Sequence, residues 1–381
     1  MSRRVVIVGA GLAGSRCAQT LRAEGFDGAI TLVGEEQHPP YERPALSKAF
    51  LAGAREELLL LRPTVWGDLE IGLELGVRVE RIDTTRRLAS TTRGDFVWDA
   101  LVLATGTRAR RPAAFGGSGV HVLRTLDDAR RLRAELAPGR RLAIVGSGFV
   151  GTEVASTAAD LGVDVTIIDL ASLPFERTLG PEVGRLLANR YRAYGVDLRL
   201  EAGVERILRR SDGTLRGLRL SDGTELERDL VLVAMGAEPA GELLRGAPGP
   251  IETDEGGRTR LPNVYACGDV AAPWSAEHSR HVRFEHWTSA AEQAALVARA
   301  ILAAEPGARP TPYFWSDQFG LRLQHVGSSE GWEQIVLDGH ETSFAARYLA
   351  QDGRLVAALL VNRPQQVGSL RRELAPKLLA A

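Results

Sequence analysis

A short apolar strand followed by a glycine-rich turn and a helical segment occurs twice in this chain. The first copy runs from RVVIV at residues 4–8 into GAGLAG at residues 9–14. The second runs from RLAIV at residues 141–145 into GSGFVG at residues 146–151. Between a strand and a helix, G-x-G-x-x-G is typical of a loop that binds a dinucleotide pyrophosphate. The two copies predict a duplicated α/β architecture that binds two dinucleotides.

Each glycine of these loops has its own physical reason. The first permits a tight turn, the second lets a pyrophosphate approach the backbone, and the third lets the helix pack closely on the strand. The helix N-terminus adds positive potential for the phosphates. The six positions are Gly9, Gly11 and Gly14 in the first loop and Gly146, Gly148 and Gly151 in the second.

An acidic residue after the second strand of such a module accepts hydrogen bonds from the hydroxyls of an adenosine ribose. In the first module Glu35 lies 26 residues after the first glycine, and Glu36 is the competing candidate. In the second, Asp169 closes a strand predicted at residues 165–169, 23 residues after the first glycine. A carboxylate there repels a 2′-phosphate, which favours NADH over NADPH, although the nearby Arg177 leaves the alternative open.

Two further segments are predicted as the strands that close the modules, each with a turn at the ligand edge. They are FVWDALVLATGT at residues 96–107 and LERDLVLVAMGAEP at residues 226–239. From residue 311 onward, aromatic residues and alternating strands indicate a separate α+β tail, with PGARPTP at residues 306–312 as its linker. The turn residues predicted to face a ligand are Ala104, Thr105 and Gly106 in the first segment and Gly236 in the second.

Composition narrows the class of protein. A content of 44% apolar and 25% charged residues is that of a globular protein, and a net charge of −1 argues against nucleic acid as the main partner. No apolar run approaches the length of a membrane span, so we expect no membrane association and a reducing, cytoplasmic setting. Of the 47 basic residues only Lys48 and Lys377 are lysines, which draws attention to the internal one.

Three runs give the sequence a resemblance to a known family. PYERPALSK at residues 40–48, YACGDV at residues 265–270 and WSDQ at residues 315–318 resemble those of the FAD-dependent pyridine-nucleotide oxidoreductases. The branch it resembles is that of the oxygenase-coupled ferredoxin reductases, of the putidaredoxin reductase type. The resemblance implies two Rossmann-like dinucleotide-binding domains, as in glutathione reductase, plus a smaller α+β C-terminal domain. It also implies FAD in the first module, NADH in the second, and a ferredoxin-type iron–sulfur protein that feeds an oxygenase or cytochrome P450.

The resemblance also implies roles for individual residues. Lys48 and Glu153 are expected to form an ion pair at the reactive edge of the flavin, and Phe149 to cover the flavin until nicotinamide enters. A capping-box pattern, Ser289 with Glu292, predicts that a helix begins near Trp287, with its N-terminus aimed at the flavin. The FAD contacts implied are Gly9, Gly11, Ala13, Gly14, Glu35, Arg43, Lys48, Val79, Ala104, Thr105, Gly106, Arg124, Asp269 and Trp287. The NAD contacts implied are Gly146, Gly148, Phe149, Gly151, Asp169 and Gly236. For Val79 and Arg124, a core valine and a solvated arginine stay open as alternatives.

The predicted domains follow from the same comparison. A discontinuous FAD domain is expected at residues 1–109 and 236–312, and an NAD domain at residues 110–235. A C-terminal domain is expected at residues 313–381, covering the flavin with Trp315 nearby.

The cysteines exclude the disulfide reductases of this superfamily. Cys17 and Cys267 form neither CxxC nor CxxxxC, and RPALSK carries no cysteine where peroxidases of this fold have one. Electrons that reach the flavin must therefore leave directly to an external acceptor. Three functions stay open: a ferredoxin reductase, a flavoprotein that reduces oxygen, a quinone or a small molecule, and a redox-sensing binding protein like apoptosis-inducing factor.

Three closely spaced histidines raise the possibility of a metal site. His278, His281 and His286 lie within nine residues, and such histidines can ligate zinc. No carboxylate or cysteine is spaced to complete the site. We therefore expect solvated or capping histidines and no metal.

Overall fold

The computed structural model describes residues 3–276, 278–305 and 311–375 of the chain. The chain divides into two compact units, each assembled from three stretches of sequence. Unit 1 consists of Met1–Glu42, Glu57–Arg108 and Glu238–Pro312, and unit 2 of Arg43–Glu56, Ala109–Ala237 and Tyr313–Ala381. The three-domain boundaries predicted above stay a prediction. The predicted linker falls mostly outside the described residues, as does Lys377.

Unit 1 is built on a five-stranded parallel sheet. Its strands, in spatial order, are Val264–Ala266, Ala100–Leu103, Arg4–Val8, Ala29–Gly34 and Ile71–Leu75. The central strand is buried on both sides, as its apolar run predicts. Val5 and Ile7 pack in a core with the helices Leu12–Ala23 and Trp287–Leu302, while Val6 and Val8 face a second core.

Smaller elements complete unit 1. An antiparallel sheet is formed by Val79–Asp83, Leu88–Thr91 and Gly94–Val97. Another small sheet joins Ile251–Thr253, Ala271–Ser275 and Arg280–His281. The short helices are Pro63–Asp68, Glu242–Arg245 and the 3₁₀ turn Gly268–Val270.

Unit 2 repeats the parallel sheet and adds an antiparallel one. The parallel strands, in order, are Asp197–Arg199, Asp164–Ile168, Arg141–Val145, Leu230–Val233 and Val120–His121. The helices are Leu126–Glu135, Phe149–Asp160, Glu176–Leu179, Pro181–Ala193 and Val367–Glu373, with 3₁₀ turns at Arg43–Ala45 and Pro364–Gln366. A small antiparallel sheet consists of Val204–Arg209, Leu215–Leu220 and Glu225–Glu227.

The C-terminal part of unit 2 is a five-stranded antiparallel sheet. Its strands, in order, are Tyr313–Gln318, Leu321–Gly327, Leu355–Val361, Ser343–Leu349 and Gln334–His340. With its helix it forms the α+β tail that the sequence predicted. The predicted fold class, two dinucleotide-binding modules and a smaller C-terminal domain, is confirmed. Among the described residues, no helix is long and apolar enough to cross a membrane.

The prediction that each closing segment forms a single strand was wrong. The first predicted segment splits into Gly94–Val97, Ala100–Leu103 and Thr107–Ala109, and the second into Glu225–Glu227, Leu230–Val233 and Ala237–Pro239. An aspartate lies at the first of the two breaks in each segment. Asp99 accepts the backbone N–H of Arg4 at 2.8 Å, and Asp229 that of Arg141 at 2.9 Å, and each pair adds a side-chain ion pair. The carboxylate thereby fixes the chain to the start of the central strand and ends the antiparallel segment.

Candidate functional site

The first glycine loop joins the strand Arg4–Val8 to the helix Leu12–Ala23. Gly9 has φ +115°, and a Cβ there would lie 2.1 Å from the carbonyl oxygen of Ala104. A Cβ on Gly14 would lie 2.0 Å from the carbonyl oxygen of Gly9, so both positions require glycine. Gly11 differs, because no atom of the described residues beyond its chain neighbours lies within 4 Å of such a Cβ. As the N-cap, glycine has no side chain that could accept hydrogen bonds from the first N–H groups of the helix, which leaves these groups directed at this open side.

The YACGDV turn packs directly against this loop. A Cβ on Gly268 would lie 2.9 Å from the Cβ of Ala13, so the turn and the helix approach closely. The N–H of Gly268 donates to Gln293 Oε1 at 3.0 Å, which ties the turn to the helix Trp287–Leu302. Asp269 follows, half-buried, in the 3₁₀ turn. The structure thus brings Ala13 and the Gly268–Asp269 turn together within unit 1.

The helix after the RFEHW run begins at Trp287, with His286 as its N-cap. The predicted capping box was wrong: Ser289 is already helical and buried, and no side-chain cap bond is present at the N-cap. Burial lowers the pKa of His286 to about 4, against the opposing effect of the Asp269 carboxylate. A neutral histidine therefore precedes Trp287 at the helix start.

The two acids after the strand Ala29–Gly34 differ in their surroundings. Tyr41 Oη donates to Glu36 Oε2 at 2.7 Å, which engages that carboxylate. Glu35 is exposed, and within the described residues it makes no hydrogen bond or ion pair. Val79, by contrast, is buried in the hydrophobic core with Trp98, so its side chain has a packing role.

The turn that follows Ala100–Leu103 is fixed by unit 1 itself. Thr105 Oγ1 donates to the carbonyl of Ala240 at 2.7 Å, and the N–H of Ala240 donates to the carbonyl of Gly106 at 3.0 Å. Gly106 has φ +67°, which favours glycine. Ala104 lies against Gly9, as described above, so the predicted turn residues border the first glycine loop.

The second glycine loop repeats the geometry of the first. A Cβ on Gly146 would lie 2.4 Å from the carbonyl oxygen of Ala234, and one on Gly151 would lie 2.3 Å from that of Gly146. Gly148, the N-cap of the helix Phe149–Asp160, has no atom of the described residues within 4 Å of the same position. Gly236 has φ +94° and equally open surroundings. Both modules therefore present an unobstructed second glycine at a helix N-terminus.

Asp169 follows the strand Asp164–Ile168, which ends one residue earlier than predicted. Its Oδ2 accepts the backbone N–H of Ser147 at 2.6 Å and the hydroxyl of Ser147 at 2.7 Å. Its Oδ1 accepts the N–H of Ala171 at 2.9 Å. The carboxylate is thus held beside the second glycine loop, with acceptor capacity remaining on Oδ1.

Lys48 and Glu153 form the ion pair that the resemblance implied. Lys48 Nζ lies 2.6 Å from Glu153 Oε2, and Glu153 is buried on the helix Phe149–Asp160. Two serines complete the site: the hydroxyl of Ser47 donates to Oε2 at 2.5 Å and that of Ser316 to Oε1 at 2.6 Å. A residue pair 105 positions apart in sequence is therefore one buried polar centre of unit 2.

Three other predicted residues of unit 2 lie around that helix and its neighbour. Phe149 packs its ring 4.5 Å from that of Phe175 and 4.9 Å from that of Phe314, measured between centroids. Arg43 Nη1 donates to the carbonyl of Arg124 at 2.8 Å, just before the helix Leu126–Glu135. The flavin contacts predicted for Phe149, Arg43 and Arg124 stay predictions.

Both cysteines are fully buried in unit 1. Burial raises the pKa of the Cys17 thiol well above its usual value and that of Cys267 to about 12. A thiolate is the reactive form of cysteine, so neither side chain is poised for redox chemistry. Of the histidines considered as metal ligands, His278 is bonded to the Ser275 hydroxyl at 2.9 Å and His281 to the carbonyl of Ala272 at 2.9 Å.

Sequence reasoning missed three serines. Ser147 is a variable position of the second glycine motif, and no local pattern marks it as the partner of Asp169. Ser47 lies in the run PYERPALSK and Ser316 in the run WSDQ, both of which support the family resemblance. Their place in these runs was the only feature of the sequence that could have indicated a role at the site.

Comparison with known proteins covers both units. Residues 3–294 match the sequence profile of the pyridine nucleotide-disulphide oxidoreductases, and residues 313–378 match that of the reductase C-terminal domain. The ferredoxin–NAD(+) reductase subunit of the benzene 1,2-dioxygenase system of Pseudomonas putida is 37% identical over 383 residues, covering 98% of this chain and 92% of that protein. Putidaredoxin reductase CamA of Pseudomonas putida is 36% identical, with coverages of 98% and 92%.

A solved structure extends the similarity to three dimensions. The crystal structure of the covalent putidaredoxin reductase–putidaredoxin complex matches with a TM-score of 0.95 at 35% identity, covering 98% of this chain and 93% of that one. The crystal structure of a ferredoxin reductase for the CYP199A2 system from Rhodopseudomonas palustris matches with a TM-score of 0.90 at 32% identity, with coverages of 94% and 91%.

Proposed function

This chain belongs to the pyridine nucleotide-disulphide oxidoreductase family, in its ferredoxin reductase branch, and from this membership we propose that it is an FAD-dependent NADH:ferredoxin reductase. In the overall reaction, NADH and two oxidised iron–sulfur proteins give NAD⁺, a proton and two reduced iron–sulfur proteins. The proposed partner is a small ferredoxin that serves an oxygenase or a cytochrome P450.

The observation that carries the proposal is the absence of a usable thiol. The chain has two cysteines, both buried and both with raised pKa values. A disulfide reductase of this family would need a redox-active cysteine pair, which this sequence does not contain. The electrons must therefore pass to an acceptor outside the chain.

The first glycine loop fits FAD. Gly11 leaves room for a pyrophosphate beside the N-terminus of the helix Leu12–Ala23, where N–H groups and the helix dipole favour negative charge. Glu35, whose carboxylate is exposed and not engaged within the described residues, is proposed to accept bonds from the adenosine ribose. Asp269 and Trp287 are proposed to hold the ribityl chain and the flavin ring, and Val79 to border the adenine.

The second glycine loop fits NADH. Gly148 is open in the same way as Gly11, at the start of the helix Phe149–Asp160. Asp169 is held in place by Ser147 and retains acceptor capacity for ribose hydroxyls. Its negative charge would repel a 2′-phosphate, and we therefore propose NADH as the preferred donor.

When bound, FAD supplies the conversion between a two-electron hydride donor and acceptors that take one electron at a time. The chain's own contribution at this step is proposed to be the Lys48 ammonium, held at 2.6 Å by Glu153. A positive charge at that position would favour the reduced, more negative form of a neighbouring group. Glu153, fixed on a helix, would keep the flexible lysine side chain in one orientation.

The test is steady-state cytochrome c reduction by NADH, with and without a panel of ferredoxins, while oxygen consumption is recorded in parallel. We expect a [2Fe–2S] ferredoxin to stimulate the rate strongly and oxygen uptake to stay slow. Rapid oxygen consumption without a carrier would refute the proposal in favour of an oxidase. Negligible turnover with every carrier would instead favour the redox-sensing alternative.

A further inference from the structure

The Glu153 carboxylate receives hydrogen bonds from three side chains, which belong to two separate segments of unit 2. Lys48 and Ser47, from the segment Arg43–Glu56, donate to Oε2 at 2.6 and 2.5 Å. Ser316, from the first strand of the C-terminal sheet, donates to Oε1 at 2.6 Å. The other oxygen of the ion pair is therefore held by a part of the chain 163 residues away.

Ser316 is itself fixed by a line of donors. Gln318 Nε2 donates to Ser316 Oγ at 3.0 Å, and Tyr191 Oη donates to Gln318 Oε1 at 2.6 Å. Because the Ser316 oxygen accepts a hydrogen bond from Gln318, its own O–H group donates to Glu153. Tyr191 and Ser316 have no exposed surface, and Gln318 has 3%. In such a dry setting hydrogen bonds that point the same way strengthen one another, and here they stabilise the negative charge of Glu153.

The ion pair is only partly accessible to solvent. The side chain of Lys48 is 19% exposed and that of Glu153 is 8% exposed. A cleft of about 420 Å³, with Lys48 in its wall beside Thr157 and Gln318, connects the ammonium to solvent. A small reagent can therefore reach the lysine through this cleft, while the hydroxyl groups of Ser316 and Tyr191 stay buried.

We infer that Ser316 is a positioning residue, through which the C-terminal strand Tyr313–Gln318 fixes the geometry of the Lys48–Glu153 pair. A carboxylate that is hydrogen-bonded at only one oxygen can rotate, and the lysine stem has four rotatable bonds. With Ser316 on Oε1, the remaining oxygen is directed at the ammonium. The significance of this for flavin reduction rests on the proposed function, but the positioning itself does not.

The scarcity of lysine makes the inference measurable. Lys48 and Lys377 are the only lysines in the sequence, so acetylation by an amine-selective ester, followed by mass spectrometry, reports each one separately. The ratio of the two labelling rates, measured at fixed pH on flavin-loaded protein of equal flavin content, is the readout. We expect Ser316→Ala to raise the Lys48:Lys377 ratio about threefold or more, because an ammonium released from a fixed carboxylate reacts faster. Ser316→Thr, which keeps the hydroxyl, should restore the ratio.

A matched control separates positioning from general loosening. Tyr348→Phe removes another buried hydroxyl bond of the C-terminal sheet, to the carbonyl of Leu179 at 3.0 Å, without touching Glu153. Its ratio should equal that of the wild type, and an equal rise in this variant would overturn the inference. If Ser316→Ala does not fold, Tyr191→Phe shortens the same line of donors and should give a smaller rise. An unchanged Lys48:Lys377 labelling ratio in folded Ser316→Ala, or in Tyr191→Phe where Ser316→Ala does not fold, would also overturn the inference.

This measurement needs no electron acceptor. A protein that reduces no ferredoxin still gives a labelling ratio, and a failed labelling test leaves ferredoxin reduction unaffected. The failure of one proposal is thus distinguishable from the failure of the other.

Discussion

Adding one methyl group to the second glycine of each glycine loop would test the two proposed pyrophosphate sites independently. Gly11 and Gly148 occupy equivalent N-cap positions, and a Cβ at either would meet no atom of the described residues within 4 Å. Gly11→Ala and Gly148→Ala therefore leave protein packing intact. The methyl group would instead stand where each pyrophosphate is proposed to approach the backbone.

The magnitudes follow from the backbone angles. Gly11 has φ −91° and ψ −164°, and Gly148 has φ −74° and ψ 179°, which is extended backbone that alanine adopts without strain. Alanine is a poorer N-cap than glycine, which lowers the free energy of unfolding. It also reduces the conformational entropy of the unfolded chain, which raises that free energy by about 0.4–1 kcal/mol. Because the two effects oppose each other, we expect a net change of less than about 1 kcal/mol. Forcing a methyl group into a close contact costs about 1–3 kcal/mol, or roughly 5- to 150-fold in affinity.

The assay measures two affinities and one stability for each variant. FAD binding is followed by the absorbance of the flavin band during reconstitution, NADH binding by fluorescence titration, and stability by thermal denaturation. We expect Gly11→Ala to lose FAD affinity while keeping NADH affinity, and Gly148→Ala to show the reverse. Gly14→Ala is the contrasting variant: its Cβ would lie 2.0 Å from the carbonyl oxygen of Gly9, so it should lower thermal stability as well.

Three results would refute this reasoning. Wild-type FAD affinity in Gly11→Ala would mean that the pyrophosphate does not lie against that glycine. Loss of affinity for both FAD and NADH in either single variant would mean that the two glycine loops do not bind their cofactors separately. If the melting temperature of Gly11→Ala fell as far as that of Gly14→Ala, the protein would not have room for a methyl group at Gly11.

Three further predictions concern single side chains. Lys48→Arg should keep the fold yet slow flavin reduction by NADH about tenfold in stopped-flow measurements, because a planar guanidinium cannot replace a compact ammonium; unchanged kinetics would make Lys48 a bystander. Asp169→Ser should raise the kcat/KM for NADPH relative to NADH, since the charge that repels the 2′-phosphate is removed, and an unchanged ratio would contradict the assignment. The hydrogen bond from Arg141 lowers the pKa of Asp229, so this pair stabilises the fold above the unfolded value of about 3.9, and the gain is lost as pH falls through the lowered pKa. Asp229→Asn should therefore flatten the fall in the urea midpoint below about pH 4, and a slope like that of the wild type would exclude the pair as its source.

The local patterns of the sequence predicted the modules well. The strands Arg4–Val8 and Arg141–Val145 have the predicted bounds, because a buried apolar run that ends in glycine is a self-contained signal. The helix begins at Trp287 as predicted, but the capping box was wrong, because serine followed by glutamate three positions later also occurs inside a helical first turn.

The polar centre around Glu153 could not have been predicted in the same way. Its two serine donors lie 106 and 163 residues away in the sequence, and nothing within a helix or strand encodes such a contact. The family resemblance supplied the lysine partner, but it did not supply Ser47 or Ser316. Contacts between distant segments depend on the assembled fold, and only the three-dimensional structure of unit 2 brought them together.

The interleaving of the two units has a consequence for synthesis on the ribosome. The chain passes from one unit to the other five times, and the edge strand Val264–Ala266 joins the first parallel sheet only after the whole second module has been made. Until then the strand Ala100–Leu103 has Arg4–Val8 on one side but no neighbour on the other, and unpaired backbone groups on such an edge invite wrong pairing. The first parallel sheet can therefore be completed only after its edge strand has been synthesised, later than the whole second module.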